Sequence, residues 1–456
     1  MKLLRSSFWL HSIFYTFLQR FSLLFFGTFS YFILVRSVST QQFAVWALYL
    51  AIFTMFEMIK QGLLRNPMIR FMGMQEYADK KNVVQSVGLL INIAISLFAI
   101  LLITFFNTSI SGFLNTPELK PLFYWSILFI LLLIPFNHLE VVMQSQMQFQ
   151  PMFQVYFLRQ GSFFAAIFFI WLLKKDWLTI PVVVILQILS LLLGVLLLWI
   201  KSRAYHLKKF HYEGKTLKEM LHFGKYIFGT NLFASVSRSL DRFVTANAIP
   251  DAVVRNNFIS YYDATQRVNM LLDVPSLAIA DVLFPKNVQA SEEDGMAKVK
   301  YYFERMCGVL LAIIIPFSLF IFIFPKFIIL VLSGSQYYPA APILQLTILF
   351  CIVRPLSYQF GSTLDAIGKP KVNFWVNFGM LSLNLVFSYF FLSRFGGIGA
   401  AYATMLTYTI AGTAMYIVMN RTIHVQGTEI LRYFIQTYKD AWGFGMKFIR
   451  KSNEKA

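Results

Sequence analysis

The chain has 456 residues, of which 57% are hydrophobic and 13% charged, with a mean hydropathy of +0.62. That balance excludes an ordinary soluble domain and describes a protein whose solvent is a bilayer. The formal net charge of +19 requires no nucleic-acid partner, because basic loops facing anionic membrane lipids account for most of it.

Apolar runs long enough to cross about 30 Å of hydrocarbon at 1.5 Å per residue predict twelve helices. In chain order they are Phe8–Val35, Phe43–Leu64, Val83–Phe106, Leu122–Met147, Met152–Leu173 and Thr179–Ile200 in the first half. The second half holds Phe223–Ala248, Asn257–Phe284, Tyr302–Phe324, Ala341–Leu364, Val372–Leu392 and Gly397–Met419, with Phe327–Leu332 extending the ninth helix or forming a short outer segment. Barrel strands would alternate in runs of about ten residues, so the predicted fold class is an all-α polytopic membrane protein. The first run ends at Arg36 without a small-residue cleavage site and is too long for a signal-peptide core, which makes it a membrane helix.

Basic residues are retained on the cytoplasmic side during insertion. Lys2 and Arg5, the 65–81 loop, the 201–218 loop, the 286–305 region, Lys369 with Lys371, and the tail from Arg421 fall on one side of a twelve-helix arrangement. Both termini are therefore expected in the cytoplasm. Cys307 and Cys351 fall within predicted membrane helices as small apolar filler, the six histidines show no ligand spacing, and no metal or cofactor motif is present.

An offset of about 218 residues superposes Arg20 on Arg238, Pro67 on Pro285 and "RAYH" at 203–206 on "RTIH" at 421–424. These matches occur at equivalent points of two six-helix halves. The expected organisation is an N-terminal lobe at 1–215, a C-terminal lobe at 216–426 and an amphipathic basic tail at 427–456. Halves with an even number of helices share orientation, so their axis runs along the membrane normal.

Charges inside the spans are the candidate functional groups, since each is costly in hydrocarbon unless it faces a cavity or a partner. "ASVSRSLDRFVTANAI", 234–249, carries Arg238 and Arg242 four residues apart, and the eighth helix carries Asp263 and Arg267 at the same spacing. If these helices form a hairpin, Arg242 and Asp263 share a depth roughly 8–10 Å from the outer surface, with Arg238 and Arg267 deeper. Arg20 lies near mid-bilayer. Arg242 and Asp263 either bind substrate or pair with each other to lock the hairpin. Glu140, beside His138, is a coupling-ion candidate or a solvated carboxylate near a helix end. Glu57 and Lys60 form an i, i+3 pair expected to be satisfied internally, and Arg159, Asp273, Asp281, Arg354 and Asp365 line a cavity or snorkel from helix ends.

"FGKYIFGTNLFASVSRSLDRFV" followed by "FISYYDATQRVNMLLDVPSLAIADVLFPKNVQ" resembles the seventh and eighth helices of polysaccharide flippases of the O-antigen type, members of the multidrug, oligosaccharidyl-lipid and polysaccharide exporter superfamily. Ser239, Asp241, Arg242, Tyr261–Ala264, Phe284 and Pro285 carry the likeness, and "TLDAIGKPKVNFWVN" at 363–377 resembles the family's loop between helices 10 and 11. "QSQMQFQPMFQVY" at 144–156 departs from its usual glycine-rich loop. The resemblance implies alternating-access export of a polyprenyl-diphosphate-linked oligosaccharide across the bacterial inner membrane. It further implies a proton or sodium coupling cation and polysaccharide-assembly proteins as candidate partners. Arg20, Arg238, Arg242 and Arg267 would then meet the diphosphate, because guanidinium stays ionised and presents a planar fork of donors. Two alternatives are weighed: a cation-coupled drug antiporter of the same fold, which wants an acidic and aromatic cavity, and a membrane glycan polymerase or glycosyltransferase, which wants a large outer loop or a catalytic carboxylate motif. An enzyme is not expected.

The tail, 428–450, places Leu431, Phe434, Ile435, Tyr438 and Trp442 on one face with Arg432, Gln436 and Lys439 opposite. That pattern predicts a helix lying in the membrane interface, with a cytoplasmic helix packed on the bundle as the alternative.

Overall fold

The computed structural model describes the backbone at residues 7–38, 45–46, 49–50, 53, 56–113, 118–248, 252–350, 353–396 and 398–453; side chains at 238–260, 263, 267 and 443–453, among others, lie outside the described residues. Among the described residues every regular element is helical. In chain order these are α1 (Ser7–Ser37), a π-helical turn (Gln61–Arg65) leading into α2 (Asn66–Gly73), α3 (Lys81–Phe113), α4 (Leu119–Ser145), α5 (Phe149–Leu173), α6 (Ile180–Lys201) and α7 (Gly214–Ala248). There follow α8 (Ala252–Glu293), α9 (Met296–Ile323), α10 (Pro325–Ser333), α11 (Ala341–Phe350), α12 (Arg354–Ala366), α13 (Pro370–Phe395), α14 (Ile398–Ile423) and α15 (Gly427–Asn453). Eight described helices are long and apolar enough to cross a membrane, on α1, α3, α4, α5, α6, α8, α9 and α13. The protein is a multi-pass membrane protein.

Within the described residues the predicted segments fall on helices, with three points of detail. The second is only partly within the described residues. The tenth is two elements, α11 and α12, and Pro355 sits in the first turn of α12, where a residue without an N–H opens a helix but does not continue one. Phe327–Leu332 forms a helix of its own, α10.

The chain divides into two compact units, Met1–Phe228 and Gly229–Ala456. In the first, α4 is the central element: 61% of its apolar window is buried, against 22% for α3 and 11% for α5, which turn Phe98, Phe105 and Phe169 outward. The core around it gathers Tyr49, Phe123, Ile130, Phe136, Ile180 and Leu191. Pro135 interrupts the α4 ladder, and beside it Asn92 of α3 donates to the Ile134 carbonyl at 2.8 Å.

In the second unit α8 is the buried helix, again at 61% of its window. Polar groups of α12 tie to it: Gln359 donates to the Ser276 carbonyl at 2.8 Å, and Asn287 donates to Thr363 at 3.0 Å. The turn between α12 and α13 follows from Gly368 at φ +79°, which only glycine adopts freely, and from Pro370 opening α13. Asn373 then donates back to Asp365 at 3.1 Å.

The first turns of α7 are fastened to residues 70–86 within the first unit. Tyr77 donates to Glu219, and Lys80 lies 3.2 Å from Glu213. The His211 N–H reaches Ser86 at 3.0 Å, and the Arg70 guanidinium sits 5.4 Å from the Phe223 ring. The Thr216 hydroxyl, and then Lys80, hold the Glu213 carboxyl below its ordinary value of 4.5. A depressed folded value contributes stability above that pH, and the contribution disappears as pH falls through the folded value. Exposed ion pairs add little, so close packing carries this junction. A β-carbon at Gly62 would fall 2.5 Å from the Phe228 Cα, and one at Gly224 would meet the Gly62 oxygen and Leu63 Cα at 3.1 Å. Gly62→Ala must therefore part the π-helical turn from α7, at about 1–3 kcal/mol by the usual cost of overpacking. Thermal unfolding of the detergent-solubilised protein should show a lower midpoint for Gly62→Ala and an unchanged one for Gly379→Ala, whose added methyl meets nothing within 4 Å.

Candidate functional site in the first unit

The first unit contains a cavity of about 340 Å³ between α1, residues Tyr49, Leu50, Phe53 and Glu57, and α4, α5 and α6. Leu23, Tyr49, Leu50, Phe53, Phe129, Leu133 and Phe136 form its apolar walls. Its polar lining is Glu57, Asn137, Glu140, Tyr156, Arg159, Gln160 and Gln187, drawn from four helices. A cluster this polar inside a membrane bundle is costly unless its members satisfy one another.

A connected set of contacts satisfies part of it, with Lys60 Nζ and Gln187 Oε1 buried without a hydrogen-bond partner. Tyr156 donates its hydroxyl to Glu140 Oε1 at 2.7 Å. Glu57 accepts a hydrogen bond from Asn137 and lies within electrostatic reach of Lys60, Glu140 and Arg159. The Arg159 guanidinium is 4.7 Å from the centre of the Phe136 ring, whose edge packs on Tyr156 at a centroid distance of 5.7 Å. Lys60 is 2% exposed, lies 4.8 Å from the Phe56 ring and immediately precedes the π-helical turn. At the far side of that turn, Arg65 donates from Nε to Gln144 Oε1 at 2.9 Å and ties the turn to α4. The cluster thus gathers two carboxylates and two basic side chains, with Glu57, Glu140 and Arg159 lining the cavity.

Glu140 therefore stands in a cavity and is hydrogen-bonded there. Arg20 lies on α1, half-buried and one turn before Leu23, and is not among the cavity's lining residues. Arg238 and Arg242 fall on α7, and Asp263 and Arg267 on α8; their side chains lie outside the described residues. Glu57 with Lys60, read from spacing as a local pair, belongs to a cluster extending over α4 and α5. Gly194 of α6 was not singled out by sequence reasoning. A β-carbon there would meet Arg159 Cδ at 3.0 Å and Phe136 Cε2 at 3.1 Å, so a hydrogen in that place admits the stacked pair. A mid-span glycine outside any turn is the only signal it leaves.

Residues 33–342 match the model of a family described as polysaccharide biosynthesis protein. Relatives include an uncharacterized membrane protein of Methanocaldococcus jannaschii, 24% identical over 44% of this chain and 39% of its own length. The probable low-salt glycan biosynthesis flippase Agl15 of Haloferax volcanii is 23% identical over 36% of this chain and 34% of its own length. A Shigella flexneri protein named as an O-antigen transporter is 22% identical over 42% and 44% respectively. The matches thus span less than half the length of these relatives. Among solved structures, the Vibrio cholerae MATE transporter VcmN aligns with a TM-score of 0.80 at 13% identity, covering 92% of this chain and 97% of that one. A MOP superfamily transporter from Pyrococcus furiosus aligns at 0.77 and 14%, covering 90% and 94%. These likenesses establish the fold.

The Arg159 stack generates a direct expectation. Gly194→Val should drive Arg159 off Phe136 and leave Glu57 and Glu140 without their shared cation. In a complementation assay, with membrane levels followed by immunoblot, Gly194→Val should retain insertion and lose most activity, whereas Gly379→Val, placed in open space, should retain both.

Proposed function

Because the chain belongs to the polysaccharide biosynthesis protein family, we propose that it is a flippase. It carries a polyprenyl-diphosphate-linked oligosaccharide across the bacterial cytoplasmic membrane by alternating access, with both termini in the cytoplasm. The observation that carries this reading is a hydrogen-bonding cavity, with carboxylates, amides, a phenol and a guanidinium, inside a membrane-spanning bundle of transporter fold. Glycan hydroxyls and a diphosphate both need such groups to leave water. Two six-helix lobes of like orientation, followed by the basic tail, provide bodies able to rock about a central path.

Arg20, Arg238, Arg242 and Arg267 are assigned to the diphosphate, with Asp263 as the partner that sets Arg242. A guanidinium fork matches phosphate oxygens in a way a lysine point charge does not. Glu140 is assigned to coupling. Its hydrogen bond from Tyr156 and its place between Arg159 and Glu57 support a carboxylate whose charge is felt across the cavity. Uptake of a proton or sodium ion there would change the balance of the cluster, and so bias one arrangement of the lobe over another. The Glu57 and Glu140 carboxylates with Tyr49, Phe53 and Phe136 are also what a cation-coupled drug antiporter would use, and this is the second reading. No enzymatic step is assigned.

Two experiments separate the assignments. In a flippase-deficient strain, Arg20→Ala with Arg238→Ala should abolish glycan export and leave lipid-linked repeat units at the cytoplasmic face, identified by mass spectrometry. Single changes at Arg242 or Asp263 should be harmful, and the exchange Arg242→Asp with Asp263→Arg should recover part of the function if the two pair. Full export by the Arg20, Arg238 double variant would remove the cationic path. Glu140→Gln keeps shape and removes charge, so it should weaken transport at normal protein levels and flatten its dependence on pH or sodium. Unaltered transport across both ranges would take Glu140 out of coupling.

A further inference from the structure

Helix α15 has a surface that transport leaves unused. Its start is held by Glu304 of α9, whose Oε1 accepts the Gln426 backbone N–H at 2.7 Å and lies 3.8 Å from Lys300 Nζ. One turn further along α9, Gly308 lets the helices close: a β-carbon there would lie 2.7 Å from Tyr433 Cβ and 2.9 Å from the Ile430 oxygen and Phe434 nitrogen. Another turn on, Tyr438 donates its hydroxyl to the Ala312 carbonyl at 2.8 Å. The contacts advance together along both helices, over about 12 Å of rise on α9 and about 18 Å on α15 at 1.5 Å per residue. Helix α15 therefore runs obliquely along α9, packed on the bundle through these contacts.

Stepping 100° per residue separates three faces of α15. Ile430, Tyr433, Phe434 and Thr437 form the face toward α9. Beside it, Leu431, Ile435 and Trp442 form an outward apolar stripe, and Trp442 is 75% exposed. Arg432 and Lys439 flank that stripe on the side away from α9, roughly a quarter-turn round. Both are exposed, and Arg432 has only a loose pair with Glu429 at 3.4 Å. From Arg421 to the end, the chain has seven basic residues against three acidic ones. A helix that follows α14 directly and runs along α9 presents its outer stripe beside an apolar, span-length helix. A cationic flank of one sign repels a second copy and attracts a negatively charged leaflet.

We propose that α15 is a phospholipid-binding element: Leu431, Ile435 and Trp442 sit among acyl chains, while Arg432 and Lys439 hold anionic headgroup phosphates of the leaflet on the α9 N-terminal side. The assignment rests on the membrane-spanning fold and is independent of what the protein transports. Bound lipid there is fixed to α9 through Glu304, Gly308 and Ala312.

The test uses the full-length protein on a Cys307→Ala, Cys351→Ala background, labelled with NBD at Trp442→Cys or, separately, at Leu431→Cys. The protein is placed in nanodiscs of phosphatidylcholine alone or with phosphatidylglycerol. Both labels should emit to the blue of the water value and be quenched by doxyl acyl chains. Doxyl-phosphatidylglycerol should quench at least twofold more than doxyl-phosphatidylcholine, and Arg432→Gln with Lys439→Gln should abolish that difference. Water-like emission at both positions would overturn the proposal, as would equal quenching by the two lipids. Blue emission without lipid quenching, lost on dilution, would mark a contact between copies and equally overturn it. None of these readouts depends on export, so failure here and failure of the flippase reading are distinguishable.

Discussion

Hydrocarbon does not solvate charge, and the first unit is organised around that constraint. Glu57, Glu140, Arg159 and Lys60 are gathered where Asn137 and Tyr156 hydrogen-bond the two carboxylates and where the Arg159 and Lys60 cations lie against the Phe136 and Phe56 rings. The cluster needs a helix buried deeply enough to bring Asn137 and Glu140 to the centre of the unit, and α4 is that helix. It also needs room for a guanidinium lying flat on a ring, which Gly194 leaves. Apolar packing around Tyr49, Phe123 and Phe136 surrounds the cluster, so charge balance and core packing are one arrangement.

The same economy of space recurs wherever two helices approach closely. Gly62 and Gly224 bring the π-helical turn against α7, and Gly308 brings α15 against α9. In a bilayer, lipid tails compete equally well for apolar side chains, so association depends on close backbone approach and on hydrogen bonds between helices. Gln359 to Ser276 and Asn287 to Thr363 are such bonds in the second unit, and Asn92 to Ile134 is one in the first.

Helix positions were legible because span-length apolar runs have few physical alternatives in a membrane. Where reading failed, a local feature overruled the average. Pro355 opens a new helix within a run that looks continuous, while of the two readings left open for Phe327–Leu332 the separate short segment is the one found, opened by Pro325. The tail was legible as an amphipathic helix, but the residue it packs on was not, since the close approach depends on Gly308 of another element. The cavity was legible only in fragments. Glu57, Glu140 and Arg159 are far apart in the chain, and sequence alone offers a local pair for the first and leaves cavity and helix-end readings open for the other two. Their meeting is a product of packing between helices.

The unequal burial of the helices has an evolutionary consequence. On α3, α5 and α13, at most 22% of the apolar window is inside the protein, and Phe98, Phe105, Phe169, Val386 and Tyr389 are among their exposed positions. A bilayer does not distinguish Phe from Leu or Ile by shape, and substitutions there are nearly free of cost as long as they stay apolar. On α4 and α8 the neighbours are fixed side chains, and volume matters at each step. Sequence in such a fold can drift through its outer helices while the inner ones hold their places. A chain sharing 13% of its residues with a solved transporter can then still superpose on it with a TM-score of 0.80.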